Sequence, residues 1–142
     1  MRFNKDVEYA LICLTALSRD QRVFSSRELS DKFSIPYGIL SKILQRLSGN
    51  GIVNSVQGAR GGYLLDRNPE SVTLGEVISS IQGRKAVSTC LNEKEQCHLI
   101  EDCNIKDAMH KVQSMWETMI NSMTLGDFKM MNSSSAGTGI AY

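Results

Sequence analysis

The chain has 142 residues, of which 42% are hydrophobic, with four cysteines and a net charge of +1. That length suits one ordinary domain, or a small domain with an added arm. No run of about 18 apolar residues offers a membrane span, and the opening "MRFNKDVEYALICL" is charged and then amphipathic, unlike a signal peptide. A cytoplasmic protein is therefore expected, in a compartment where thiols stay reduced and tend to bind metals or react. No nucleophile–base set, phosphate-cradling glycine loop or pair of catalytic carboxylates stands out, so an enzyme is not expected. The charge is divided: residues 1–67 hold ten Lys/Arg against six Asp/Glu, and residues 68–142 hold six against nine. A polyanion partner would suit the front half only.

From Phe3 to Ser18, Val7, Leu11, Leu14 and Leu17 recur at three- and four-residue intervals and predict an amphipathic helix. Cys13, between Leu11 and Leu14, reads as a small core residue. A second, short helix starts near "SSRE", where Ser25 and Glu28 have capping-box spacing, and ends around Phe33. In "SIPYGILSKILQRLSGNG", Pro36 suits the first turn of a third helix. Its apolar stripe is Ile39, Leu40, Ile43, Leu44 and Leu47. Its other face offers Tyr37, Ser41, Lys42, Gln45 and Arg46, all able to contact phosphates or base edges. Gly49 and the Asn50-Gly51 pair end it.

Next, "IVNSV", a turn "QGARGG" and "YLL" predict a short hairpin. Gly61 and Gly62 leave the guanidinium of Arg60 almost alone at the tip, suited to a narrow groove or a phosphate chain. Two helices, a helix with a polar basic face and an arginine-tipped hairpin describe a winged helix-turn-helix. Its recognition helix is expected at about 36–48 and its wing at about 56–64. The fold class is thus mainly α with a small β-hairpin wing.

Further on, "VTLGEVISSIQG" reads as a helix capped by Thr73 and Glu76. Ile105, Met109, Val112, Trp116, Met119 and Met123 then follow at spacings of 4, 3, 4, 3 and 4, a heptad seam. A helix of about 20 residues spans roughly 30 Å, and its simplest partner is the same helix of a second chain, the alternative being packing against the first helix of its own chain. The expected layout is a DNA-binding domain at 1–83, a cysteine loop at 84–104, a dimerisation helix and short C-terminal helix at 105–130, and a Ser/Gly-rich disordered tail at 131–142.

The loop "CLNEKEQCHLIEDC" carries Cys90, Cys97 and Cys103 among charged residues. It lacks the close C-x2-C pair usual in zinc sites, although His98 could contribute. A disulfide would leave one thiol over, and unrelated free cysteines are usually buried. An iron–sulfur cluster binds thiolates and tolerates wider spacings. Spacing alone leaves cluster and zinc both open.

The wing "GIVNSVQGARGGYLL", the segment "VTLGEVISSIQG", the three-cysteine loop and "TLGDF" after the long helix together resemble the bacterial winged-helix iron–sulfur transcription regulators of the IscR/NsrR type, over roughly residues 1–128. The resemblance implies a homodimer on palindromic operator DNA, sensing iron–sulfur status, nitric oxide or redox stress. It implies a cluster, of two-iron or four-iron type, held by Cys90, Cys97 and Cys103 with one non-cysteine ligand. It also places Arg2 and Lys5 near the DNA backbone. The first cysteine gap is six residues where the best-known members have five. IscR-like members carry a histidine three residues after the last cysteine, where this chain has Lys106. NsrR-like members use a carboxylate of the first helix, which falls on Glu8 here, of either subunit. His110 and His98 compete with it. The competing functions are a regulator of this fold that senses thiol oxidation or a metabolite without a cluster, and a cluster carrier or electron-transfer protein that never binds DNA.

Overall fold

The computed structural model describes residues 2–84, 86–92, 97–99 and 101–134. Most of the expected tail, from 135 onward, lies outside them. Helix α1 (Lys5–Asp20) begins later than Phe3 because Asn4 caps it, its Oδ1 accepting from the Val7 N–H at 3.0 Å. Phe3 packs its ring against Trp116 instead, with centroids 6.0 Å apart. Helix α2 (Ser26–Phe33) starts where Ser25 Oγ accepts from the Glu28 N–H at 3.0 Å. The reciprocal half of that box is not made. The Glu28 carboxylate accepts from the Arg22 guanidinium, because a charge-assisted bond outweighs one to a neutral backbone N–H.

Helix α3 (Tyr37–Gly49) has Pro36 as its cap, one position earlier than expected, and the Pro36 carbonyl accepts from the Leu40 N–H. Its buried stripe is Leu40, Ile43, Leu44 and Leu47. Ile39 does not belong to it. At about 100° per residue it lies at the stripe's edge and stays 41% exposed. Gly51 (φ 73°) takes the left-handed position after the helix, and the Ile52 N–H returns to the Leu47 carbonyl at 3.0 Å.

Strands β1 (Asn54–Val56) and β2 (Gly62–Leu64) pair antiparallel, Ser55 opposite Tyr63. Phe24 bridges β2 from the other side by two bonds with Tyr63 of 2.8 and 2.9 Å. A Cβ on Gly62 would stand 2.1 Å from the Phe24 carbonyl oxygen, so only glycine lets the wing approach α2's lead-in.

Helix α4 (Leu74–Gln82) repeats the pattern of α2: Thr73 Oγ1 accepts from the Glu76 N–H at 3.1 Å, while the Glu76 carboxylate accepts from Arg67 at 2.6 Å. After α5 (Lys106–Ser122), helix α6 (Leu125–Ser134) opens on Thr-Leu-Gly-Asp, an echo of the Thr-Leu-Gly-Glu of α4. The two motifs pair antiparallel at Thr73 and Thr124, the Leu74 N–H donating to the Met123 carbonyl and the Leu125 N–H to that of Val72. Helices α4 and α6 pack against α1, and one core runs from Val7 through Leu17, Phe24, Leu44, Ile52 and Val77 to Leu125.

The heptad seam of α5 divides. Ile120, outside the seam, is buried; Met109, Trp116 and Met123 are half-buried, and Trp116 and Met123 pack on the core. Ile105, Val112, Met115 and Met119 form the exposed apolar stripe. The helix already rests on α4 through part of its apolar arc, so the unpartnered stripe is rotated from the expected one.

Candidate nucleic-acid interface

The inward stripe of α3 fixes what the helix presents outward. Tyr37, Gly38, Lys42, Gln45 and Gly49 are exposed, and a Cβ at Gly38 or Gly49 would meet nothing within 4 Å. Tyr37 stands in the first turn, 47% exposed. Ser41, half-buried one turn on, has a buried Oγ with no hydrogen-bond partner among the described residues.

Arg46, exposed as well, has an intramolecular partner that its place on the polar face did not announce. Its guanidinium donates to the Ile81 carbonyl at 2.8 Å, on the last turn of α4. Each helix has free carbonyls at its C-terminus, and Arg46 satisfies one of them. In this structure it joins α3 to α4. At the wing, Arg60 and the turn before it are exposed. The Gly61 N–H donates to the Gly58 carbonyl at 3.0 Å, and a Cβ at Gly61 would stand 2.2 Å from the Val56 carbonyl oxygen. The tip can therefore turn tightly beside Arg60.

Four of the cations are paired with carboxylates. Lys5, Arg22, Arg67 and Arg84 each pair with a glutamate: Glu8, Glu28, Glu76 and Glu117. The hydrogen bonds to Glu28 and Glu76 raise the Arg22 and Arg67 pKa values, and the bond from Arg22 lowers that of Glu28. Arg27, Lys42 and Arg60, on α2, α3 and the wing, make no ion pair with a carboxylate among the described residues; nor do Arg2, Arg19, Lys106 and Lys111 elsewhere, while Lys32 lies near enough to Glu28 to help lower its pKa. Arg27 was not singled out in the sequence. Its guanidinium carbon lies 4.7 Å from the centroid of the Tyr37 ring, a neighbour that only the packing of α2 on α3 supplies. Within "SSRE", its own sequence signal was a solvated helix position.

Two residues considered for different roles are tied to each other. Lys5 Nζ donates to Glu8 Oε2 at 2.9 Å, which raises the Lys5 pKa. Arg2 is exposed. The cysteine loop leaves α4 after Gly83 and is pinned to α5, where Gln113 Oε1 accepts from the Val87 N–H at 2.8 Å. Cys90 sits in a 3-10 turn (Thr89–Leu91), its Sγ 3.4 Å from Ser88 Oγ. Cys97 and Cys103 are half-buried like Cys90, and all three are free thiols. His98 and His110 are exposed. Among the described residues no three Cys, His, Asp or Glu side chains converge as a metal-holding group. The donor chemistry of three thiols in one loop fits a cluster; the described arrangement does not gather them. Cys13 is fully buried in the core, and burial pushes its thiol up to about 12.

No helix among the described residues is long and apolar enough to cross a membrane. The family model described as Rrf2, iron-dependent transcriptional regulator, matches residues 3–130. An HTH-type transcriptional regulator of Aquifex aeolicus is 30% identical over 131 residues, covering 89% of this chain and 90% of its own. The HTH-type transcriptional regulator NsrR of Bacillus licheniformis is 27% identical, covering 92% and 93%. Among solved structures, CymR, the global cysteine regulator of B. subtilis, superposes with a TM-score of 0.73 at 20% identity, covering 92% of this chain and 98% of its own. The three helices, the hairpin and this match agree on a winged helix, and the chain belongs to the Rrf2 family of DNA-binding transcription regulators.

Proposed function

We propose that the chain is a dimeric, sequence-specific transcription regulator whose operator affinity is set by the state of its cysteine loop, through an iron–sulfur cluster. The observation that carries the DNA half is the outward face of the helix-turn-helix: Lys42 on the recognition helix and Arg60 on the wing are exposed and make no ion pair with a carboxylate among the described residues. Such groups contact phosphate, and each lost contact lowers the salt slope of binding by about one unit. Arg60→Ala and Lys42→Ala should each weaken binding and flatten that slope. Unchanged affinity and slope in both would remove the interface.

For the loop, Cys90, Cys97 and Cys103 would hold the cluster, which supplies redox- and nitric-oxide-sensitive iron. Glu8 would complete the set as a hard oxygen donor, more weakly held than a thiolate, after leaving Lys5; His110 and His98 are the alternatives. Oxygen-free material should be brown and contain acid-labile sulfide, and Cys→Ser at any of the three positions should reduce both. Glu8→Cys should slow the bleaching caused by nitric oxide. Colourless, sulfide-free material would leave the second reading, thiol-oxidation sensing without a cluster, to which three free, half-buried thiols are also suited.

A further inference from the structure

Arg27 is the second residue of α2, and Tyr37 the first of α3. Both are exposed, and the guanidinium lies over the ring at 4.7 Å. An arginine paired with a carboxylate has its N–H edge occupied, as Arg67 has with two bonds to Glu76. An arginine held on the face of a ring keeps that edge open, because the attraction to the ring acts on the plane of the guanidinium. Arg27 is thus both held and unneutralised among the described residues. The same contact limits the rotamers of a long side chain, which lowers the entropy lost when it binds. The positive end of α2 adds to the charge there.

In a helix-turn-helix the first helix crosses the DNA backbone while the second enters the groove. A cation on the first turn of α2, held against the first turn of α3, therefore stands where backbone rather than base edge is met. We infer that Arg27 contacts an operator phosphate and that Tyr37 is its positioning residue, acting through its ring rather than by reading a base. This rests on the DNA-binding reading above.

The test uses the 142-residue chain and a duplex selected by it from a random library, with binding followed by fluorescence anisotropy at several salt concentrations. Arg27→Ala should weaken binding roughly tenfold and lower the salt slope by about one. Tyr37→Leu should lose much of the same affinity, Tyr37→Phe almost none, and Arg27→Ala/Tyr37→Leu no more than Arg27→Ala alone. Arg27→Lys keeps the charge but not the planar edge and should fall between wild type and Arg27→Ala. Thermal melts confirm that each exposed substitution leaves the fold intact. If Arg27→Ala binds like wild type while Arg60→Ala is weakened, the inference fails and the regulator reading stands. If Tyr37→Phe loses as much as Tyr37→Leu, the hydroxyl reads the DNA and the positioning role is overturned. If the wild type selects no duplex, the regulator reading fails and takes this inference with it.

Discussion

Ser41 shows how little of a polar contact is written in residue type. A helical serine or threonine usually returns its hydroxyl to the carbonyl four residues back, as Thr15 does to Leu11 and Ser80 to Glu76. Ser41 makes no such bond, so its buried Oγ is left without a partner among the described residues. Removing an unsatisfied hydroxyl and inserting a better helix former both favour the fold. Ser41→Ala should therefore raise stability by about 0.5–1 kcal/mol in urea denaturation; a destabilised variant would mean that the hydroxyl has a partner after all. Cys13 is the opposite case, since its place in the apolar period of α1 was enough to read it as core. Its raised pKa has a definite sign. Below the ordinary thiol value of 9.0 both folded and unfolded chains keep the proton. Between 9.0 and about 12 only the unfolded chain loses it, so stability falls across that window. At pH 8 a thiol reagent should modify Cys13 only after denaturant is added, while the thiols of Cys90, Cys97 and Cys103 react in the reduced native protein. Fast native labelling of Cys13 would contradict its burial.

Among the elements, helix starts were the most legible feature and their partners the least. Ser25 and Thr73 were readable as caps because the bond to the third N–H is local. The glutamates that close the boxes were not, because Arg22 and Arg67 reach them through tertiary placement. Thr73→Ala should cost about 1 kcal/mol, the usual worth of such a cap, and a loss near zero would show that Arg67 and the Thr124 pairing hold the helix start without it. The Arg22–Glu28 pair makes a pH-dependent prediction. The lowered Glu28 pKa stabilises the fold above the ordinary carboxylate range, and that contribution is lost as pH falls through the lowered value. Arg22→Gln should be slightly destabilising at neutral pH, the effect being limited by exposure of both groups. The difference from wild type should vanish in acid. A gap that persists in acid would assign the effect to packing of Arg22 on the Phe24 ring, 3.7 Å away. The recognition helix and wing could be placed almost to the residue, since proline, glycine and apolar period all punctuate the chain there. The bond from Arg46 to the Ile81 carbonyl was not legible for a physical reason: nothing in a helical period tells an arginine facing only solvent from one that also reaches the end of a distant helix.

For the whole molecule, the question left by the single chain is what covers α5. Its period announced an apolar face, but only the packing on α4 shows which part of that face remains. Ile105, Val112, Met115 and Met119 stay exposed, along a helix of 17 residues that spans about 25 Å. A row of four large apolar side chains on one helix face suits a self-complementary contact about a two-fold axis, and a two-fold dimer matches two half-sites of a palindrome. Met115, the most exposed of the four at 62%, touches the intramolecular core least, so a charge there should leave the monomer folded. Met115→Asp is expected to bring the particle mass down from twice 15.8 kDa to near 15.8 kDa in sedimentation equilibrium, with helix content by circular dichroism retained. Losing one of two linked binding events should lower affinity for a two-half-site duplex by about 100-fold or more and leave affinity for an isolated half-site almost unchanged. Should the mass stay at twice the chain while both affinities hold, the stripe is not the dimer contact. Should the mass fall while both affinities hold, dimerisation is not what sets operator affinity.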